Sequence, residues 1–407
     1  MAARAALAIR DFRLLQLARF CSIVALQLTH AAAGWQILHE TERPLDLGFV
    51  GLAQFIPAVG LSLVAGHAAD RFDRKRLLAG CNAAYAVIAA LLAAHALLGR
   101  SDTLPIYVAL VALGAGRAFA GPAGQALLPD VVPSEHFSSA VAWSSSIWQA
   151  AMVTGPMLAG GAIGLGGAKA AFAIAAGAAA VGAVAALAIR ARASRMESKE
   201  ITLRTVLAGV RYVWTRKEIL GAISLDLFAV LFGGAVALFP IFARDVLHAG
   251  PWGFGLLRAA PGVGAIGTAL LLAYRPLKRR AGVVMFACVA LFGVATIVFA
   301  LSKVLWLSVL ALAISGAADM VSAVVRHTLV QVTTPPDMRG RVSAVNLVFI
   351  GASNELGEFE SGVTAQWFGV VPSVVVGGVG TLVVVAIWAL TFPALRRVES
   401  LDEPAAR

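Results

Sequence analysis

An all-α polytopic membrane protein, with twelve transmembrane helices in two pseudo-symmetric six-helix bundles, is the fold that three features of this sequence predict. The first is composition. Of 407 residues, 59% are apolar and only 14% charged, whereas a soluble domain is about half apolar and about a quarter charged. The second is a succession of apolar runs near the ~20 residues that an α-helix needs to cross ~30 Å of hydrocarbon. The third is an internal repeat that relates the first half of the chain to the second.

Twelve runs can be marked in order: 14–38, 47–69, 77–99, 104–127, 138–163, 168–190, 219–243, 252–273, 281–301, 304–327, 342–367 and 371–393. An even number puts both termini on one side, and the basic residues identify that side. The N-terminus, segments 70–76, 190–217, 275–280 and 326–341, and the C-terminal tail hold 25 of the 33 Lys and Arg. The opposite loops hold Arg43, Arg100, Lys169, Arg244 and Lys303, and Arg19, Arg117 and Arg258 fall inside runs. Both ends are therefore expected in the cytoplasm, in a multi-pass protein of the cell inner membrane. The run from Leu14 is as long as the later ones and no small-residue cleavage site follows it, so the first helix itself is expected to direct insertion.

The formal charge of +11 has the same origin. The positives follow helix ends instead of clustering with aromatics on a soluble face, which argues against nucleic acid and for anionic lipid headgroups as partners. Cys21, Cys81 and Cys288 have no paired spacing and predict neither disulfides nor a metal site. No nucleophile elbow, His/Cys metal spacing or Walker loop occurs, which speaks against an enzyme, a bound cofactor, or an ATP-driven pump within the chain.

Arg190 to Lys217 is the longest polar stretch, and it divides the runs six and six. The predicted organisation is a bundle at 1–190, a cytoplasmic linker at 191–217, a second bundle at 218–395 and a tail at 396–407. Within the linker, Leu203, Val206, Leu207, Val210 and Val213 recur at helical intervals, predicting an amphipathic helix on the membrane surface. The halves echo each other. Leu47 to Leu52 with Pro57 recurs as Trp252 to Leu256 with Pro261, and an offset of 204 places Arg71, Arg74, Lys75 and Arg76 on Arg275, Lys278, Arg279 and Arg280. A weaker match sets Pro133-Ser134-Glu135 and Ser139-Ala140-Val141 against Pro336-Asp337-Met338 and Val342-Ser343-Ala344.

Between the second and third runs lies Gly66-His67-Ala68-Ala69-Asp70-Arg71-Phe72-Asp73-Arg74-Lys75-Arg76. Glycine permits close helix approach, and an aspartate can sit on the positive end of a neighbouring helix and pair with arginine. Gly66, Asp70, Arg71, Arg74 and Lys75 match the loop signature of the major facilitator superfamily, which the chain resembles. The resemblance implies a latch against the start of the eleventh helix near Gly340 and Arg341. In the second half Tyr274 stands where Asp70 would be, so a symmetric latch is not implied.

Three further stretches extend the resemblance over essentially the whole chain. Gly114 to Gly121 resembles the family's fourth-helix motif, with Arg117 four residues before a glycine. A buried arginine stays charged and can hold an anion or an approaching carboxylate. Ala151 to Gly161 resembles the fifth-helix motif of exporters, in which Gly155, Pro156 and Gly160 fit while Ala151 and Ala159 replace glycines. Such a Pro-Gly element kinks and packs tightly. Leu329 to Ser343, with Leu127 to Pro133, is similar to the branch containing enterobactin exporters and macrolide efflux pumps.

Acids within the runs mark ion or substrate pathways, since a carboxylate near the bilayer centre costs several kcal/mol unless it faces protein or water. Glu355, Glu358 and Glu360 lie in the eleventh run. By helical phase Glu355 and Glu358 share a face with Gly351 and Gly362, and Glu360 points away. Asp226 in the seventh run, Asp319 in the tenth and Arg258 in the eighth are candidate co-players. His30 and His95 are isolated and predict satisfied polar side chains. Trp35, Trp143, Trp148 and Trp367 predict packing or interfacial positions.

Together these readings imply a secondary transporter. The expected mode is proton-coupled export of a small amphipathic molecule, drug-like or siderophore-like, by a monomer working through alternating access. Uptake or facilitated diffusion of a small nutrient, and a non-transporting membrane sensor, are the alternatives that the sequence leaves open.

Overall fold

The computed structural model describes residues 5–191, 203–275, 277, 280–335 and 338–399, and these are helical with no strand among the described residues. Nine helical segments among them are long and apolar enough to cross a membrane. Helix α1 spans Arg10–Thr41 and ends where Glu42 turns left-handed at φ 56°. Helix α2, Pro44–Gly60, and helix α3, Ser62–Arg71, fill the run expected at 47–69. Pro57 has no N–H to give the carbonyl one turn back, and the helix breaks shortly beyond it, at Leu61. Helices α4, Arg74–Leu97, and α5, Leu104–Ala126, follow. Asp73 caps α4, its carboxylate accepting from the amides of Lys75 at 3.0 Å and Arg76 at 3.3 Å, as short polar side chains do at helix starts.

Helix α6, Phe137–Leu187, carries both runs expected at 138–163 and 168–190, with its break at Gly167, φ 73°. That backbone conformation is open to glycine at no steric cost. Helix α7 is Leu203–Thr215 and α8 is Lys217–Gly233. The run expected at 219–243 is interrupted at Gly233-Gly234 and continues in short helical turns from Val236 to Val246, so that Lys217–Val246 makes one of the nine apolar segments. Helices α9, Gly250–Tyr274, α10, Ala281–Leu301, α11, Leu305–Thr333, α12, Arg339–Phe368, and α13, Val370–Thr391, complete the chain. Pro44–Gly60, at 17 residues, and the charged Arg339–Phe368 lie outside the nine apolar segments.

The chain groups into two compact units, Met1–Glu42 with Ala53–Ile201 and Gly250–Gly255, and Arg43–Leu52 with Thr202–Ala249 and Leu256–Arg407. In the first unit, Phe12, Leu15, Leu78, Leu127, Val131 and Ile189 form one core cluster. Polar ties fasten its helix ends around that cluster. Asp11 accepts from the amides of Arg190 and Ala191 at 3.1 and 2.8 Å, and Lys75 Nζ donates to the carbonyl of Ile189 at 3.0 Å. In the second unit, Leu225, Met285, Phe286, Val289, Val325 and Leu329 form the corresponding cluster. Thr381 Oγ1 donates to the carbonyl of Ala229 at 3.0 Å across α13 and α8.

Helix α7 packs against α8, α11 and α12. Val213 is buried with Ile219, Val330, Val342 and Val345, and Tyr212 Oη donates to the carbonyl of Thr333 at 3.2 Å. Gly209 is the reason α7 can sit so close: a methyl group there would stand 2.9 Å from the carbonyl oxygen of Arg341. Of the apolar stripe read from the sequence, Val210 and Val213 pack against protein. The expected linker is described from 203 onward and the expected tail to 399.

Candidate functional site

In the second unit, α12 and the first turns of α2 come together through glycine. A methyl on Gly362 would lie 2.9 Å from Gly48 Cα, and one on Gly48 would lie 3.1 Å from Phe359 Cα. One turn further along α2, a methyl on Gly51 would lie 2.6 Å from Glu358 Oε2 and 3.1 Å from Glu355 Oε2. Both carboxylates therefore converge on one bare backbone position. Glu355 is buried and Glu358 partly so, and Arg258 on α9 lies within electrostatic range of both. An Arg beside two carboxylates compensates their burial, and it leaves a net acid that can take up or release a proton.

Of the two glycines read on the face of Glu355 and Glu358, Gly362 packs closely, whereas Gly351 has nothing within 4 Å of its Cβ position. Gly48 and Gly51 provide the close approach from the partner helix. The sequence contained the signal, since Gly48 and Gly51 belong to the repeated segment, but nothing local names α12 as their neighbour. Glu360 is partly buried and away from Gly51; the hydroxyl of Thr364 donates to its backbone carbonyl at 3.0 Å.

Asp226 and Asp319 gather elsewhere in the same unit. Asp226 on α8 is ion-paired with Arg326 on α11, both side chains under a tenth exposed. Asp319 and Ser322, two turns and one turn before Arg326 respectively, line with Asp226, Val289 and Phe292 a cavity with room for about one water molecule. Arg326 was expected among the cytoplasmic loop positives at 326–341. It is instead a buried helical residue, because the apolar-periodic stretch from Val321 keeps α11 going to Thr333. The single list of pathway acids therefore separates into two clusters, each with its own arginine.

The first unit holds the motif residues of the first half. Arg74 is buried, with Nη1 on Asp130 Oδ2 at 3.0 Å and on the carbonyl of Ala126 at 3.1 Å. Asp130, in the run Leu127 to Pro133, was not among the candidate residues, and its partner is 56 positions away. Arg71 and Arg341 are exposed, and the surroundings of Gly66 and the side chain of Asp70 lie outside what the structure describes. On α6, a methyl on Gly155 would stand 2.6 Å from Gln27 Cβ. Gly255 on the first turns of α9 approaches Gly160 so closely that a methyl would lie 2.9 Å from Gly160 Cα and 3.2 Å from the carbonyl of Pro156. The repeat offset of 204 places Gly51 on Gly255. The two equivalent glycines thus each accept a crossing helix, carrying Pro156 and Gly160 in one half and Glu355 and Glu358 in the other.

Arg117 on α5 is exposed and within electrostatic range of the buried Tyr85, whose ring packs on Gly116. His30 has the polar partner expected of it, with its Nδ1 2.9 Å from Gln54 Nε2. His95 Nε2 lies 2.9 Å from the carbonyl of Asp102. Trp35 packs on Phe254 with ring centroids 5.5 Å apart, and Trp367 and Trp148 are exposed. Among the described residues no group of His, Cys, Asp and Glu is arranged to hold a metal ion.

A family model described as transmembrane secretion effector matches residues 1–407. The chain is 28% identical over 394 residues to the enterobactin exporter EntS of Citrobacter koseri, covering 95% of this chain and 92% of that one. It is 27% identical over 391 residues to the enterobactin exporter EntS of Escherichia coli O81, with the same coverage. Among solved structures, a bacterial homolog of the human lysosomal transporter Spinster in an inward-facing, occupied conformation superposes with TM-score 0.76 at 14% identity, over 94% of this chain and 96% of that one. A D-xylose–proton symporter superposes with TM-score 0.70 at 13% identity, over 93% and 96%. At those identities the likeness is one of fold.

Proposed function

The chain belongs to the transmembrane secretion effector family of major facilitator transporters, and from that premise we propose that it is a proton-driven exporter of a small amphipathic molecule. The observation that carries the reading is the convergence of Glu355 and Glu358 on Gly51, with Arg258 in range of both. A carboxylate pair with one cation holds a proton in one arrangement of its helices and surrenders it when the contact with Arg258 or the exposure to water changes. Packing against bare glycine makes that arrangement sensitive to small displacements of α12 relative to α2.

Export as the direction is supported by the 27–28% identity to enterobactin exporters over 95% of the chain and by the Gly155-Pro156 and Gly160 element on α6. The reading takes the nine apolar segments as ten spans by dividing α6 at Gly167. It adds α2 with α3, and α12, to give two six-helix halves at 1–190 and 218–395 joined by the stretch 191–217. Both termini lie in the cytoplasm of an inner-membrane monomer surrounded by lipid. Gly66, Asp70, Arg71, Arg74, Lys75 and Arg341 form the cytoplasmic latch, and Arg117, Asp226, Asp319, Arg258, Glu355 and Glu358 form the proton and substrate pathway.

Inverted membrane vesicles test this. Uptake of an exported compound, found from a chemically diverse panel, is expected to collapse when the pH gradient is dissipated and to be absent for Glu358→Gln at equal expression. Uptake indifferent to both treatments would refute proton coupling.

A further inference from the structure

The acids of α8 and α11 enclose space, and the polar groups around it are unequally placed. Of the residues that line the cavity between α8, α10 and α11, Asp226 and Ser322 are 6% and 2% exposed, while Asp319 alone is exposed. Asp319 therefore stands at the opening and the other two stand inside. Among the described residues the Ser322 hydroxyl has no hydrogen-bond partner, although a polar group buried so deeply is costly unless it is paired. An unpaired hydroxyl on the cavity wall points to a guest.

Helical phase on α11 fixes the side on which the opening lies. Trp306 and Leu310 are exposed apolar residues of this helix, and at about 100° per residue Leu310 falls directly opposite Asp319. Ser322 lies about 60° from Asp319 and Arg326 about 20°, so the polar side of α11 turns away from its lipid side. A carboxylate within a span is stable there and not against lipid. Asp226 gives Oδ1 to Arg326 Nη1, which cancels one charge and leaves its second oxygen for the cavity. Asp319 then leaves these three side chains with one net negative charge.

We propose that Asp226, Asp319 and Ser322 form a binding site for a monovalent metal cation of the size of Na+. The inference deepens the transporter reading above, resting on its placement of Asp226 and Asp319 on an ion pathway, and names the ion that this second cluster takes. A hard cation seeks oxygen, and two carboxylates and a hydroxyl offer it from two helices. A divalent ion is a poor match. Ca2+ takes about six to eight oxygens and Mg2+ keeps several of its waters, whereas the cavity has room for about one water molecule, and the charge to be met is single. Bound Na+ neutralises the cluster and gives the Ser322 oxygen a partner.

Equilibrium binding of radioactive sodium to the full-length protein in zwitterionic nanodiscs tests the site, in a choline chloride medium whose cation is too large to enter. Wild-type protein is expected to bind about one sodium ion per chain, saturably. Asp319→Asn, at the opening, should weaken binding at least about tenfold. Ser322→Ala should weaken it about fivefold with the thermal midpoint unchanged or raised, because the hydroxyl removed has no partner to lose. A merely structural serine would leave sodium affinity as it was. Glu360→Gln should bind as wild type does. Absence of saturable sodium binding, which would give the cavity to water or a proton, would overturn the assignment. So would wild-type affinity in both Asp319→Asn and Ser322→Ala. No gradient is applied, so missing sodium binding alongside intact proton-driven efflux would sink this inference alone, and sodium binding without any flux would sink only the transporter reading.

Discussion

Glu355 and Glu358 differ from Glu360 by what stands opposite them. The first two meet Gly51 and feel Arg258, while Glu360 has neither relation. Glu355→Gln and Glu358→Gln are therefore expected to lose proton-driven transport in vesicles while the protein still inserts and still exchanges substrate, and Glu360→Gln should transport normally. Asp226 and Arg326 are a different case, because a buried ion pair broken on one side leaves a charge uncompensated at a cost of about 3–5 kcal/mol. Asp226→Asn should lower the melting temperature of the detergent-purified protein. Joint replacement, Asp226→Leu with Arg326→Met, should restore most of it. A melting curve unchanged by Asp226→Asn would remove the pair from the structural account.

Among elements, two crossings share one design. Gly255 on α9 takes Gly160 of α6, and Gly51 and Gly48 on α2 take Glu358 and Gly362 of α12. Neither crossing has room for a β-branched side chain without moving backbone. Gly255→Val is expected to cost about 1–3 kcal/mol of overpacking, seen as a lower thermal midpoint and lost transport. Gly267→Val, on the same helix but with nothing near its Cβ position, should be tolerated in both measurements. These crossings also mark the limit of what the sequence could disclose. The motif glycines and the acidic face of α12 were legible, since spacing along one helix fixes which residues share a side. Their partners were not, because Gly51 and Glu358 lie some three hundred positions apart and only packing joins them. Arg326 was misplaced for a related reason: an arginine near a helix end satisfies the charge rule for topology equally well as loop residue or as buried counter-ion to Asp226.

For the whole molecule, apolar length predicted a helical membrane protein and the structure is one, with nine segments meeting the length and apolarity needed to span among the described residues. The remaining spans were harder to delimit because their sequences are interrupted, by Pro57 in the second run, by Gly167 within α6 and by three acids in α12. Cysteine labelling in intact cells checks the resulting topology. Single cysteines at Ser101 and Lys303 should react with an impermeant reagent, and ones at Arg76 and Arg397 only after permeabilisation. The central claim is that the acids facing Gly51 carry the proton that drives export. Reconstitution with a pH dye inside liposomes measures this most directly. Wild-type protein should move protons across the membrane when exported compound is added, and Glu358→Gln should support substrate counterflow with no proton movement. Substrate-evoked proton flux of wild-type size in Glu358→Gln and in Glu355→Gln would contradict the account.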